Sequence, residues 1–153
     1  MKIGFTGTQR GMTDLQNDSF RETLDLLEEK FGKIEEFHHG DCIGADEEAH
    51  LIVKDLSDVK IVAHPPSDDR KRAFQKGHRI EQCLPYMARN DKIVASCDIL
   101  IATPQGLGEV LRSGTWATIR RARKSQKDVY VLYPDGTNEY PWWPSSQWDW
   151  IGK

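Results

Sequence analysis

The chain has 153 residues and a formal net charge of −3. This length fits one domain that buries roughly two thirds of its unfolded surface, and the negative charge supplies no basic field for duplex DNA. A nucleic-acid partner is therefore not expected. The three cysteines lie far apart with no zinc-like spacing, which favours reduced thiols. Neither a signal-peptide pattern nor an apolar stretch of about 18 residues is present, so we expect a cytoplasmic protein without a membrane partner.

Strand and helix signals alternate through the first part of the chain. A capping box formed by Thr13 and Gln16 precedes apolar residues spaced three and four apart, which predicts a helix from residue 14 to residue 31. Gly32 is expected to terminate this helix. The other predicted elements of this part are strands at 2–6, 34–39 and 59–64 and a helix at 45–56.

The second part of the chain continues the alternation after a charged segment at 67–82, which predicts a functional loop or a short irregular helix. Pro85 is expected in the first turn of a helix that ends near residue 96. Strands are predicted at 99–101 and 129–133, with a helix at 113–125 between them. Core contacts of the helix after Pro85 are expected from Met87, Ile93, Val94 and Cys97.

This pattern predicts the fold class. Near-continuous apolar strands that alternate with amphipathic helices are typical of a parallel sheet covered on both faces. We therefore predict an α/β fold, a single Rossmann-like doubly wound domain over residues 1–135, with a mainly parallel sheet of about five strands.

Residues 136–153 form a C-terminal tail that holds four of the five tryptophans. We expect the tail to pack on the domain, as a strap over the sheet edge or a helix. The alternative is that its rings form a dimer contact or a stacking wall for a base, since tryptophan is enriched in interface hot spots. A homo-oligomer is expected.

Three loops, at 7–10, 40–46 and 112–115, follow predicted strands and converge at one edge of a parallel sheet. In the third loop, Ser113, Gly114 and Thr115 open a helix beside Arg112. The first amides of a helix lack partners and lie at the positive end of its dipole, so this turn suits a phosphate. An ordinary N-cap is the alternative interpretation.

Metal binding and thiol catalysis find little support. Two of the five histidines, His38 and His39, are adjacent in a strand and point to opposite faces, so they do not readily chelate one ion. Cys42 shows no base in the sequence that would activate it. We predict neither a metal nor a cofactor.

In the order and placement of these motifs the chain resembles the SLOG superfamily, a Rossmann-like group that includes the DNA-processing Smf proteins and the LOG-type nucleotide phosphoribohydrolases. The resemblance implies a nucleotide or nucleotide-derived ligand across the carboxyl ends of the strands, where topology also places ligands. The predicted ligand-binding residues are Gly7, Thr8, Gln9, Arg10, Gly40, Asp41, Gly44, Ala45, Asp46, Asn90, Arg112, Ser113, Gly114 and Thr115.

The resemblance also exposes a departure. LOG enzymes carry a Pro-Gly-Gly-x-Gly-Thr-x-x-Glu signature whose glutamate helps to cleave the N-glycosidic bond, and this chain has Thr118 at that position. An oxocarbenium-like transition state requires a nearby carboxylate. Glu109 and Asp46 are the candidate catalytic substitutes, with Arg89 orienting the phosphate. Each carboxylate has a structural alternative, a solvated loop charge for Glu109 and a helix-opening residue for Asp46.

Three functions follow from these observations. The preferred one is a protein that senses or sequesters a nucleotide-like small molecule. The second is a hydrolase of the N-glycosidic bond of a nucleotide. The third is a single-strand DNA-binding module that uses the basic residues Arg120, Arg121, Arg123 and Lys124, and the negative net charge ranks it last.

Overall fold

A mainly parallel β-sheet forms the centre of the computed structural model, which describes residues 1–56 and 58–141. The strands are β1 (Lys2–Gly7), β2 (Glu36–His39), β3 (Lys60–Ala63), β4 (Arg79–Ile80), β5 (Ile99–Thr103), β6 (Asp128–Leu132) and β7 (Asn138–Glu139). The helices are α1 (Asp14–Phe31), α2 (Ala45–Lys54), α3 (Tyr86–Ser96) and α4 (Gly114–Lys124), with a 3-10 turn at Asp69–Lys71.

The order of the strands is β4-β3-β2-β1-β5-β6-β7, and every pair is parallel except β6 and β7. The α/β class and the parallel sheet are confirmed. The described residues form seven strands rather than five, because β4 and β7 add two residues each at the edges. Both are exposed and short, so they lack the apolar run from which a strand is predicted.

Helix α1 begins and ends where its sequence signals place it. The Thr13 hydroxyl accepts from the Gln16 amide at 3.1 Å, and the Gln16 side chain accepts from the Thr13 amide at 3.0 Å, which completes the capping box. Gly32 follows the helix with φ +92°, a conformation that favours glycine. The buried side-chain Nε2 of Gln16 also donates to the carbonyls of Pro104 and Leu132, so α1 is fixed to the carboxyl ends of β5 and β6.

Two apolar cores lie on opposite faces of the sheet. One joins α1 and α2 to the sheet around Phe5, Phe20 and Phe37, and the other packs α3 and α4 on Leu100 and Val131. Strand β1 leads to β2 on one side and β5 leads to β6 on the other, so the direction of winding reverses between β1 and β5. Ligands of open α/β sheets bind at the carboxyl side of this reversal.

The expected core contact of Met87 is wrong, since its side chain is 65% exposed. Helix α3 buries Arg89 and Asn90 in addition to Ile93 and Val94. Its buried face is therefore partly polar, and apolar periodicity alone does not identify such a face.

The described part of the tail packs against the domain, because the Tyr140 ring lies 5.0 Å from that of Tyr130. The tryptophans of the tail lie beyond residue 141, outside the described residues, so the strap and the dimer contact stay predictions. None of the helices in the described ranges combines the length and apolar character that a bilayer span requires.

Candidate functional site

A cavity of about 650 Å³ opens at the carboxyl ends of the strands. This volume lies within the range of small-molecule sites. Its walls come from the loop after β1, the start of α2, the first turns of α3, and the segment from residue 105 into α4. The lining residues are Thr6, Gly7, Thr8, Gln9, Arg10, Cys42, Asp46, Tyr86, Arg89, Asn90, Gln105, Gly106, Val110, Arg112, Ser113, Gly114, Thr115 and Trp116.

The N-terminus of α4 forms one end of this cavity. Ser113 is the N-cap, as the alternative interpretation had it, and its hydroxyl accepts from the Trp116 amide at 3.3 Å. This bond satisfies a single donor of the first turn. The N–H groups of Gly114 and Thr115 have no acceptor in the described part of the chain and belong to residues that line the cavity. An N-cap and an anion site are therefore compatible at this turn.

Positive charge lies beside this helix terminus. Arg10 and Arg112 are both exposed and line the cavity. Neither forms an ion pair with any residue that the structure describes. The loop that carries Arg10 is held in place, because the side-chain Nε2 of Gln9 donates to the Tyr86 hydroxyl at 2.8 Å. Two free guanidinium groups suit bidentate contacts to a phosphate.

The loops after β1 and β2 pack against each other through glycines. A Cβ on Gly7 would lie 2.5 Å from the Cβ of Ala45, and a Cβ on Gly44 would lie 2.3 Å from the Gln9 carbonyl oxygen. The Ala45 amide donates to the Thr8 carbonyl at 3.0 Å. Gly44 and Ala45, which the sequence predicts as ligand contacts, lie outside the cavity lining and bring the two loops together.

Asp46 lines the cavity with a side chain that is almost completely buried. Its Oδ2 accepts from the Cys42 amide at 3.2 Å, whereas Oδ1 has no hydrogen-bond partner among the described residues. Burial raises the pKa of Asp46 to about 6, and the nearby Arg89 guanidinium opposes this rise. Buried acceptors in native structures are normally satisfied by protein, by ordered water or by a bound group, so Oδ1 is expected to have a partner from outside the described residues.

Arg89 lies beside Asp46 and is also almost completely buried. Its Nε donates to the Asn90 side chain at 2.8 Å, and its Nη1 donates to the carbonyls of Gly40 and His64. A Cβ on Gly40 would lie 2.4 Å from this Nη1, so a side chain there would displace the guanidinium group. Gly40 does not line the cavity. It contributes by allowing Arg89 to reach the end of β2.

Asp41, which the sequence predicts as a ligand contact, forms hydrogen bonds within the fold. Its carboxylate lies outside the cavity lining and accepts from Arg72 Nε at 2.9 Å and from the Gln75 amide at 3.0 Å. Its own amide donates to His39 Nδ1 at 2.9 Å. Asp41 therefore connects β2 to residues 72–75, within the segment for which a loop is predicted.

Thr118, which stands at the sequence position of the LOG glutamate, and Glu109, its candidate substitute, both lie outside the cavity lining. Glu109 is exposed and pairs with Arg120 at 2.8 Å. Thr118 is completely buried in α4, where its hydroxyl donates to the Gly114 carbonyl at 2.9 Å. Among the described residues, Asp46 is the carboxylate that lines the cavity.

Three of the four basic residues that would bind single-stranded DNA are engaged in ion pairs. Their charges are partly neutralised by partners on neighbouring elements, which weakens the basic patch. The pairs are Arg120 with Glu109, Arg121 with Asp91, and Arg123 with Glu139.

The histidines form two buried pairs that the sequence does not predict. His38 Nδ1 lies 2.8 Å from His64 Nε2, and His39 Nε2 lies 2.9 Å from His50 Nδ1, so His38 and His39 do point to opposite faces of β2. Burial lowers the pKa of His39 to about 3 and that of His64 to about 4, which keeps both neutral. No cluster in the described ranges has the composition of a metal site.

Sequence reasoning missed several cavity residues, above all Tyr86 and Cys42. Tyr86 begins α3, and its aromatic character next to the predicted Arg89 was an available signal. Its ring centroid lies 5.0 Å from the Arg89 guanidinium carbon. Cys42 lines the cavity as a buried thiol whose pKa is raised by burial.

Comparison with known proteins identifies the fold. No family model and no curated protein matches the chain. A similar solved structure is the molybdenum cofactor binding protein from the phototrophic bacterium Rippkaea orientalis, with 23% identity and a TM-score of 0.63 over 86% of this chain and 76% of that chain. Another is the structural genomics target TM1055, with 16% identity and a TM-score of 0.55 over 84% and 71%. At these identities the similarity shows a shared Rossmann-like fold.

Proposed function

We propose that this protein binds a nucleotide or a nucleotide-derived small molecule in the cavity at the carboxyl edge of its sheet, as a SLOG-like binding protein that senses or sequesters its ligand. The observation that carries the proposal is the polarity of the cavity. One end presents amides and two arginines that form no ion pair with the described residues, and the other end presents a buried carboxylate whose Oδ1 has no partner among them.

The first end suits a phosphate. The amides of Gly114 and Thr115 and the guanidinium groups of Arg10 and Arg112 all belong to the cavity wall. An anion there would bind donors that have no acceptor within residues 1–56 and 58–141, and it would lie at the positive end of the α4 dipole. A Cβ on Gly114 would contact nothing within 4 Å, so this position has room for a ligand.

The comparisons support a ligand of this kind. The similar protein from Rippkaea orientalis is named for the molybdenum cofactor. That cofactor combines a fused nitrogen heterocycle with a phosphate, as a purine nucleotide does. The molybdenum cofactor is therefore the second candidate ligand, and it would occupy the same two ends of the cavity.

Binding is favoured over catalysis because the carboxylate that LOG enzymes place after their Gly-Thr motif is absent. Thr118 occupies that position with its hydroxyl bonded to the backbone, and Glu109 is paired with Arg120. The Asp46 carboxylate accepts from the Cys42 amide and lies beside Arg89. This fixed position suits a hydrogen-bond acceptor that recognises a ligand.

The test is a thermal-shift screen against mononucleotides, dinucleotides, cyclic nucleotides and the molybdenum cofactor. A ligand at ~100 times its dissociation constant adds about 2.7 kcal/mol to the free energy of unfolding. We expect at least one phosphate-bearing compound to raise the melting temperature. If none does, the proposal is refuted.

A variant pair then locates the phosphate. Gly114→Val is expected to fold normally and to bind at least tenfold more weakly, because its branched side chain fills the space over the helix terminus. Gly108→Val is the matched control, since its Cβ also contacts nothing within 4 Å and residue 108 does not line the cavity. Unchanged affinity in Gly114→Val would place the anion site elsewhere.

A further inference from the structure

We propose that Asp46 and Arg89 recognise the heterocycle of the ligand, and that this heterocycle presents an amino group, a ring N–H and a carbonyl in a row. Guanine nucleotides and pterins share this edge. The inference rests on the proposed function, because it assumes that a phosphate occupies the other end of the same cavity.

The first step is the unmet acceptor of Asp46. This residue lines the cavity and is 5% exposed, and its buried Oδ1 has no hydrogen-bond partner within the described part of the chain. Its Oδ2 accepts from the Cys42 amide, and the backbone N–H of Gly40 also stabilises the ionised carboxyl group. An ionised carboxylate in this position selects a ligand group with one or two adjacent donors and repels a phosphate.

The second step is the donor next to it. Arg89 uses Nε on Asn90 and Nη1 on the carbonyls of Gly40 and His64, and no described residue accepts from its Nη2. These bonds fix the guanidinium plane before any ligand arrives. Asp46 and Arg89 thus present carboxylate acceptors beside the Nη2 donor. Adenine, cytosine and uracil do not offer two adjacent donors followed by an acceptor, whereas guanine and pterin do.

The third step is the separation of the two ends. The Asp46 carboxylate lies beside Gly40, which follows β2, since a Cβ on Gly40 would lie 2.9 Å from Oδ2. Helix α4 packs against β5 and β6, and β1 lies between β2 and β5. Two strand spacings amount to ~10 Å. In a nucleotide the far edge of the base reaches that distance from the phosphate, whereas the ribose hydroxyls are much closer, so Asp46 faces the heterocycle.

The experiment is calorimetric titration of the full chain with five compounds: guanosine, inosine, adenosine and deoxyguanosine monophosphates, and the phosphate ester of hydroxymethylpterin. Inosine monophosphate differs from the guanosine compound only by the missing amino group. We expect its affinity to be at least tenfold lower, with the adenosine compound weaker still. Deoxyguanosine monophosphate is expected to bind as guanosine monophosphate does. Whichever binds more tightly, the pterin ester or the guanine nucleotides, identifies the class of ligand that presents this hydrogen-bonding edge to Asp46 and Arg89.

Asp46→Asn tests the residue itself. It is expected to abolish the preference for guanosine over inosine monophosphate, because an amide no longer accepts from both donors. Glu47→Gln is the matched control, as it removes a carboxylate from the same helix turn outside the cavity lining. The control is expected to keep the full preference. The comparison of the two nucleotides on the wild-type chain stays decisive even if Asp46→Asn fails to fold.

Two results would overturn the inference while leaving the proposed function intact. One is equal affinity for guanosine and inosine monophosphates with no binding of the pterin ester. The other is a loss of affinity for deoxyguanosine monophosphate with no loss for the inosine compound, which would assign Asp46 to the ribose. If none of the five compounds binds and the wider phosphate screen is also negative, both the inference and the proposed function fail.

Discussion

Asp46→Asn should stabilise the ligand-free protein at neutral pH. Burial raises the pKa of this carboxyl group from its ordinary value of 3.8 to about 6, so the fold favours the uncharged form. Asparagine has nearly the same shape as the protonated acid and cannot ionise. The substitution therefore removes the cost of holding a buried charge, at a position where we propose that the charge serves recognition.

The magnitude follows from linkage. Between pH 3.8 and pH 6 the native state retains a proton that the unfolded chain has released, so the free energy of unfolding of the wild type falls as the pH rises through this window. The difference of about two pKa units corresponds to about 3 kcal/mol. The stability advantage of Asp46→Asn should grow by about 2 kcal/mol from pH 4 to pH 7, because at pH 4 the carboxyl group of the unfolded chain is already mostly ionised. The buried histidines affect both proteins alike and cancel in the comparison.

The assay is urea denaturation of wild type, Asp46→Asn and Glu47→Gln at one-unit steps from pH 4 to pH 7. Glu47→Gln controls for the loss of a carboxylate near the N-terminus of α2, where negative charge stabilises the helix dipole. Parallel pH profiles of wild type and Asp46→Asn would show that the carboxylate is well solvated or already compensated. That outcome would refute the description of Asp46 as a buried acceptor without a partner.

Gly40→Ala should lower the free energy of unfolding by about 1–3 kcal/mol, because its Cβ would lie 2.4 Å from the guanidinium group packed against it; Gly106→Ala, which meets nothing within 4 Å, is the control in the same urea series. Chromatography should detect little or no free base from nucleoside monophosphates, since Thr118 replaces the catalytic glutamate of the similar enzymes, and robust turnover would favour a hydrolase. Fluorescence anisotropy should show only weak binding of duplex DNA at physiological salt, and a sub-micromolar complex would contradict the charge argument. Histidine ring NMR should find His39 and His64 still neutral at pH 5, in accord with their lowered pKa values of about 3 and 4; a midpoint near 6.5 for either would contradict their burial.

Local signals predicted much of the framework. The capping box at Thr13 and the glycine at position 32 predicted both ends of α1, and apolar runs predicted the five long strands. The Ser113 turn was predicted as the start of α4, and the structure places it in the cavity wall. Each of these signals is contained within a few neighbouring residues, which is why sequence alone reveals it.

Long-range polar contacts were not predictable in the same way. Nothing in the sequence around Asp41 indicates that its carboxylate oxygens accept hydrogen bonds from Arg72 and Gln75, some thirty positions later in the chain. The two histidine pairs also join separate elements, and β4 forms only because β3 offers an edge. Such contacts depend on tertiary proximity. In the sequence, a polar residue that makes a buried long-range contact looks the same as one that faces solvent.

The glycines in and near the cavity fall into two groups that differ in their capacity to change. After β1 and β2, Gly7, Gly40 and Gly44 have neighbours so close that an added side chain must displace them. In the segment of residues 105–112, Gly106 and Gly108 face open space. Directed evolution toward new ligands should therefore accumulate its substitutions in this segment. Random mutagenesis of the first group would return mostly destabilised proteins.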